Sequence, residues 1–155
     1  MIIKEINKNL LTVNRKQFVI AHCISEDCAM GRGVVVPIIK KHPKLKKACK
    51  TFSSQNNVVG KAFRYRDNNG IVYNLFSKKH VWQKAGKYLT VKEYHDNLKN
   101  CLLDLKEQMK ENNEEYLAIP QIASGLDGCK WDDVKNIIKN VFKDTNIKIL
   151  VCVWN

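Results

Sequence analysis

The stretch Gln17-Phe18-Val19-Ile20-Ala21-His22-Cys23 constrains this chain more than any other. It is a near-continuous apolar run with no in-out alternation, as expected of a strand buried on both faces. Such a strand needs cover above and below, so the rest of the chain must supply helices. Tyr94, Leu98, Cys101, Leu102, Leu105 and Met109 recur at helical spacing behind Thr90-Val91-Lys92-Glu93, a capping-box signature. Trp131, Val134, Ile137, Ile138, Val141 and Phe142 define a second amphipathic helix. Val34–Lys41 reads as a helix in which Pro37 is tolerated only in the first turn, and a short basic helix is predicted around Leu45–Lys50. Leu10–Val13, Glu115–Pro120 and Ile147–Val153 read as further strands. Val58–Arg66 and Ile71–Ser77 form a hairpin turned at Arg66-Asp67-Asn68-Asn69-Gly70. Strands alternating with helices predict an α/β protein with a central mixed sheet covered on both faces, and no linker or repeat divides residues 1–155, so one domain is expected.

The N-terminus Met1-Ile2-Ile3-Lys4-Glu5-Ile6 is a poor signal peptide, and no apolar run is long enough to span a bilayer. A cytoplasmic protein with no membrane partner is expected. The six cysteines then read as reduced thiols. Cys23 and Cys28 form a lone C-x4-C without a second pair, so no metal site is predicted. With 27 Lys+Arg against 15 Asp+Glu, the formal charge of +12 favours a polyanionic partner or a phosphate-bearing ligand. A lysine-rich solvated surface would give the same count.

Ligands of such sheets bind beyond the carboxyl ends of the strands. Two glycine-containing loops fall there, Ser25–Gly33 and Gln121–Gly128, each leading into a helix, so their backbone N–H groups are suited to phosphate. Ala21-His22-Cys23-Ile24-Ser25-Glu26-Asp27-Cys28-Ala29-Met30-Gly31-Arg32-Gly33 resembles the first ligand loop of the terminal ADP-ribose protein glycohydrolase branch of macrodomains. Ile119-Pro120-Gln121-Ile122-Ala123-Ser124-Gly125-Leu126-Asp127-Gly128 resembles that branch's phosphate-embracing loop, and Leu75-Phe76-Ser77-Lys78-Lys79 its strand end with a reactive lysine. The three motifs occur in the family's order, and the similarity covers nearly the whole chain.

The resemblance implies a three-layer α/β/α macrodomain that binds ADP-ribose between the two loops. It implies contacts from Asn9, Leu10, His22, Ile24, Ser25, Met30, Gly31, Arg32 and Gly33 on one side and Ile122, Ser124, Gly125 and Leu126 on the other. The diphosphate is expected against backbone at Gly31–Gly33 and Ser124–Gly125. Asn9 stands where many macrodomains place an acid against the adenine amino group; its carbonyl still accepts a hydrogen bond, without charge assistance. Arg32 reads equally as an exposed loop cation, and His22, at the end of a buried strand, reads first as a hydrogen-bonded core residue. Glu26 and Asp27 are loop neighbours that seldom converge, with Asp27 a candidate loop organiser.

Lys78 and Asp127 match the family's catalytic pair. An uncharged lysine amine can attack the anomeric carbon C1″ of the distal ribose and expel the linked group, leaving a ribosyl-lysine intermediate. Asp127 then moves protons and assists hydrolysis. Adjacent residues of a strand face opposite ways, so only one of Lys78 and Lys79 is expected in the site. Read without the motif, the lysines are two solvated cations and Asp127 is a turn residue. The expected activity is ADP-ribosyl hydrolysis by a monomer needing no cofactor, with ADP-ribosylated protein, ADP-ribosylated DNA or O-acetyl-ADP-ribose as substrate and DNA damage as a setting. The alternatives are a non-catalytic ADP-ribose reader and a plain nucleic-acid-binding module.

Overall fold

A computed structural model describes residues 1–154, and in it the apolar run becomes an interior strand. In chain order the elements are β1 (Ile2–Asn7), β2 (Val19–Ser25), α1 (Val35–Lys41), α2 (Leu45–Ser53), β3 (Ala62–Asp67), β4 (Gly70–Lys78), α3 (Val91–Glu111), β5 (Tyr116–Ile119), α4 (Trp131–Phe142) and β6 (Lys148–Val153). The six strands run in the order β1-β6-β5-β2-β4-β3, parallel throughout except for the antiparallel edge strand β3.

Successive side chains of each interior strand feed two different cores, which is why these strands lack polar alternation. On one face Tyr73, Leu75 and Leu117 pack under α3 and α4 against Leu98, Leu102 and Phe142. On the other, Ile20, Ile24 and Phe76 pack against Ile38 and Leu45 of α1 and α2. Helices therefore cover both faces, giving the expected α/β/α layers. Burial of a Leu, Ile or Phe at such positions is worth roughly 1.5–3 kcal/mol each. No helix among the described residues is long and apolar enough to cross a membrane.

The helix signals hold. Thr90 Oγ1 accepts from Glu93 N at 3.0 Å, capping α3, and all six apolar positions predicted for its inner face are buried. Pro37 is the third residue of α1, where its missing N–H has no partner to lose.

Two expectations are corrected. Leu10–Val13 is not a strand: Leu10–Thr12 forms a single 3-10 turn, because Asn9 Oδ1 accepts from Leu11 N at 3.0 Å and Thr12 N donates to Asn9 O. Local bonds of this kind compete with sheet pairing. The missing strand lies earlier, at Ile2–Asn7, where β1 pairs with β6 from Ile2↔Lys148 to Asn7↔Val153. As an edge strand it buries little, so its sequence lacks the apolar density of β2.

Candidate active site

Strands β5, β2 and β4 are neighbours, and their carboxyl ends fall together at Ile119, Ser25 and Lys78. The chain leaves β2 toward α1 and α2 on one face and leaves β5 toward α4 on the other. A crevice forms where connections diverge in this way. The loops 25–33 and 121–128 flank that point. They meet closely: Leu126 Cδ1 lies 3.5 Å from the point where a side chain on Gly33 would begin. Gly33 has φ 79°, a conformation that favours glycine. Among the described residues, the amides of Gly31, Arg32 and Gly33 on one loop and of Gly125, Leu126 and Asp127 on the other donate to no acceptor. Backbone donors left open on two facing loops make an anion cradle.

Lys78 closes the end of β4 with its side chain buried, whereas Lys79 is exposed. A shift in register between β2 and β4 at Ile24 and Ser25 accompanies this turn of the strand end. The Lys78 ammonium has acceptors for all three protons: Val81 O and Gln83 O, each at 2.9 Å, and Asp127 Oδ1 at 2.6 Å. The structure sets this side chain in an ion-pair contact with Asp127, and charge-assisted bonds of this kind are the strong ones. The proton that must leave before Lys78 can act as a nucleophile already points at Asp127.

Tyr94 completes the group from α3. Its hydroxyl donates to Asp127 Oδ2 and lies 2.9 Å from Ser77 Oγ. Burial first, and then the nearby Cys23 and Asp127, push the Tyr94 phenol well above its ordinary value, so it stays a protonated donor. Sequence reasoning placed Tyr94 in the core and missed this contact. The available signal was that a buried tyrosine hydroxyl needs a partner.

Asp27 organises the first loop. Its Oδ1 accepts from Ser25 Oγ at 2.5 Å and Ala29 N at 3.2 Å, and its Oδ2 from Val81 N at 2.8 Å. Burial opposes its charge, but these donors outweigh burial and hold the carboxyl below its ordinary value. Glu26 faces elsewhere, accepting from Val58 N at 2.9 Å, so the two carboxylates do not form a paired site.

The other positions divide by burial. Arg32, Gly31, Gly33, Gly125 and Leu126 are exposed on the crevice loops, and Ser124 is half-buried. Leu10, Ile24, Met30 and Ile122 are buried, and Ser25 is closed in by Asp27, which leaves backbone as their route to a ligand. The His22 side chain is the hydrogen-bonded core residue that its strand position first suggested: it has no exposed surface, and its Nε2 pairs with Asn74 Oδ1 at 2.6 Å inside the sheet, so that side chain is closed to a ligand. Burial outweighs the opposing Asn74 bond and pushes the imidazole down to about 4, so it is neutral at pH 7. Asn9 has one acceptor lone pair already engaged in capping the 3-10 turn. Among the described residues no group of three or more His, Cys, Asp or Glu side chains is placed to hold a metal ion.

A mixed sheet between two helical layers, with open loop amides at the point where its connections diverge, defines an α/β/α protein with its candidate site at the carboxyl ends of the strands. The sequence profile of the Macro domain family matches residues 21–138, and the chain belongs to that family. It is 32% identical over 132 residues to the human ADP-ribose glycohydrolase OARD1, covering 85% of this chain and 79% of the human one. A more distant relative, the ADP-ribose 1''-phosphate phosphatase of Candida glabrata, is 23% identical over 172 residues, covering 93% of this chain and 95% of that protein. Among solved structures, the macrodomain of Mycobacterium tuberculosis DarG superposes with a TM-score of 0.81 at 20% identity, over 99% of this chain and 97% of that one.

Proposed function

We propose that this macrodomain is an ADP-ribosyl hydrolase that cleaves at C1″ of the distal ribose, with mono-ADP-ribose linked to an acidic side chain or a nucleobase as substrate and O-acetyl-ADP-ribose as a small alternative. The observation that carries the reading is the 2.6 Å contact of Lys78 Nζ with Asp127 Oδ1 at the mouth of the amide-lined crevice. The relatives named for ADP-ribose chemistry support the same ligand.

In the first step Lys78 passes a proton to Asp127, giving an amine and a carboxylic acid. The amine attacks C1″, the bond to the leaving group breaks, and Asp127 returns its proton to the leaving group. The Asp127 carboxylate then deprotonates a water that attacks C1″, and the carbon–nitrogen bond to Lys78 breaks. Tyr94 holds Oδ2 throughout, so Oδ1 stays aimed at the amine. The open amides of the two loops bind the diphosphate and fix C1″ against Lys78, converting an encounter into an intramolecular attack.

Mass spectrometry of the protein quenched during turnover tests this: an ADP-ribosyl adduct is expected on Lys78 and is lost in Lys78→Ala. Turnover that persists in Lys78→Ala rules the mechanism out. One observation favours a second reading, a binding module: a lysine with three acceptors is also a stable structural pin. That reading predicts tight ADP-ribose binding with no turnover of any linkage.

A further inference from the structure

The segment between β4 and α3 displays aromatic surface for which the hydrolase chemistry has no use. Trp82 is 54% exposed and Tyr88 70% exposed. Their rings meet edge to face with centroids 5.4 Å apart, and the His80 ring stacks on Trp82 at 4.8 Å with planes 5° apart. The segment is not slack. Gln83 Oε1 accepts from Lys79 N and His80 N, its Nε2 donates to Tyr88 O, and Ala85 N donates to Asp127 O at 2.9 Å. Tyr88 itself sits at φ 63°, a conformation that is strained for a non-glycine residue and persists only where its surroundings hold it. A rigid loop thus keeps two large rings in water, beside the site: the carbonyls of Val81 and Gln83, on either side of Trp82, are the ones that hold Lys78.

Charge completes the pattern. Residues 79–90 contain Lys79, Lys84 and Lys87 and no acid, and Lys87 Nζ lies 5.8 Å from the Tyr88 ring centroid. Flat rings interleaved with ammonium groups match both halves of a nucleotide, the base on the ring and the phosphate on the lysine. An acidic peptide would satisfy the lysines and leave the ring faces wet. We infer that Trp82 and Tyr88 form a stacking subsite for unpaired nucleobases next to the modified nucleotide, so that a single strand of nucleic acid is the macromolecule presented to Lys78. This rests on the hydrolase reading for its consequence, but the subsite itself is measurable without turnover.

The experiment uses the full chain with a fluorescent, unmodified oligothymidylate for binding, and an ADP-ribosylated oligonucleotide and an ADP-ribosylated glutamyl peptide for turnover. Wild type is expected to bind the oligothymidylate with an affinity that falls as salt rises. Trp82→Ala and Tyr88→Ala are each expected to weaken that binding by about 5- to 100-fold, the range of one base–aromatic stack. Trp82→Phe should restore most of it. Turnover of the oligonucleotide substrate should fall in parallel while the peptide rate and free ADP-ribose affinity stay put. Lys78→Ala should still bind the oligothymidylate, so a missing hydrolase activity and a missing subsite give different results. Unchanged oligothymidylate binding in both alanine variants overturns the inference. An equal loss on both substrates, or a loss on the peptide alone, overturns it as well, because the rings would then support the loop or a protein chain.

Discussion

The two ends of β4 carry polar clusters of similar make-up and opposite use. At its start Arg15, His42 and Asp67 interlock: Arg15 Nη1 lies 3.1 Å from His42 Nε2, and His42 Nδ1 lies 2.8 Å from Asp67 Oδ2. Arg15 and Asp67 also tie down backbone, with Arg15 Nη2 donating to Ile71 O at 2.9 Å and Asp67 Oδ1 accepting from Asn69 N at 2.8 Å. Arg15 comes so close to Gly70, at φ 122°, that a side chain there would begin 2.9 Å from Nη2. At its finish Lys78, Asp127 and Tyr94 are paired as tightly, but they face loops whose amides lack acceptors. A surface depression of about 430 Å³ lies at the first end, lined in part by Arg64, Arg66 and Glu114. Arg64 there is already matched, to Glu114 at 2.8 Å. Neither hollow volume nor a buried ion pair distinguishes a site from a clamp here. Open donors beside the pair do.

If that contrast is right, the largest effects come from the finishing end. Lys78→Ala and Asp127→Asn should each lower turnover roughly 10³-fold with ADP-ribose affinity, followed by calorimetry, changed only a few-fold. The double variant should be no worse than either single one, because the two act on one proton. A double variant whose loss is the product of the single losses would show that they work independently. Next in size is Tyr94→Phe. It removes a hydrogen bond to a charged group, worth about 1.5–3 kcal/mol, so kcat should drop by about 10- to 100-fold with KM nearly unchanged. An effect confined to KM would place Tyr94 in ligand binding instead.

The starting end should respond in stability and not in rate. Asp67→Asn should cost about 1–3 kcal/mol in urea unfolding and leave kcat/KM within about twofold. The sign with pH follows from Asp67. Burial opposes its charge, but donation from His42 and Asn69 prevails and holds the folded carboxyl below its ordinary value of 3.8. Such a group adds stability above the ordinary value and loses it as pH falls through the folded one. Acid unfolding of Asp67→Asn should therefore be less steep in that range than wild type. An equally steep acid limb would mean that the clamp does not rest on the Asp67 charge.

What could be read in the sequence follows what each residue had to satisfy. β2, α3 and α4 were legible because burial on two faces or along one stripe leaves a pattern in the residues themselves. β1 was not, since an edge strand such as Ile2–Asn7 needs only a partner's backbone. Leu10–Val13 looked like a strand by composition, yet Asn9 turned it into a capped 3-10 turn. The Lys78 and Asp127 motifs pointed to the finishing end, but spacing along the chain says nothing of Val81 O, Gln83 O or Tyr94 OH. Those partners arrive from a loop and a helix that only the folded topology brings to the end of β4. His22 belongs to the motif, yet its place at the end of a buried strand already read first as a hydrogen-bonded core position, and the sheet buries it against Asn74.

The smallest effect is expected at Lys79, which shares the motif with Lys78 and differs from it only in direction. Lys79 is exposed, and only its backbone is engaged: its N–H donates to Gln83 Oε1 at 3.1 Å and its carbonyl accepts from Asp27 N at 3.2 Å. Lys79→Ala keeps that amide, so stability should move by no more than about 0.5 kcal/mol. Turnover of a small substrate such as O-acetyl-ADP-ribose should stay within about twofold, since the side chain is outside the crevice. A charged surface group is felt at long range, however, so encounter with a polyanionic substrate should slow slightly at low ionic strength and recover as salt screens the difference. Stopped-flow rates at two salt concentrations separate the cases. If Lys79→Ala cost as much as Lys78→Ala at every ionic strength, the two lysines would be acting as one cationic patch and the burial of Lys78 would lose its meaning.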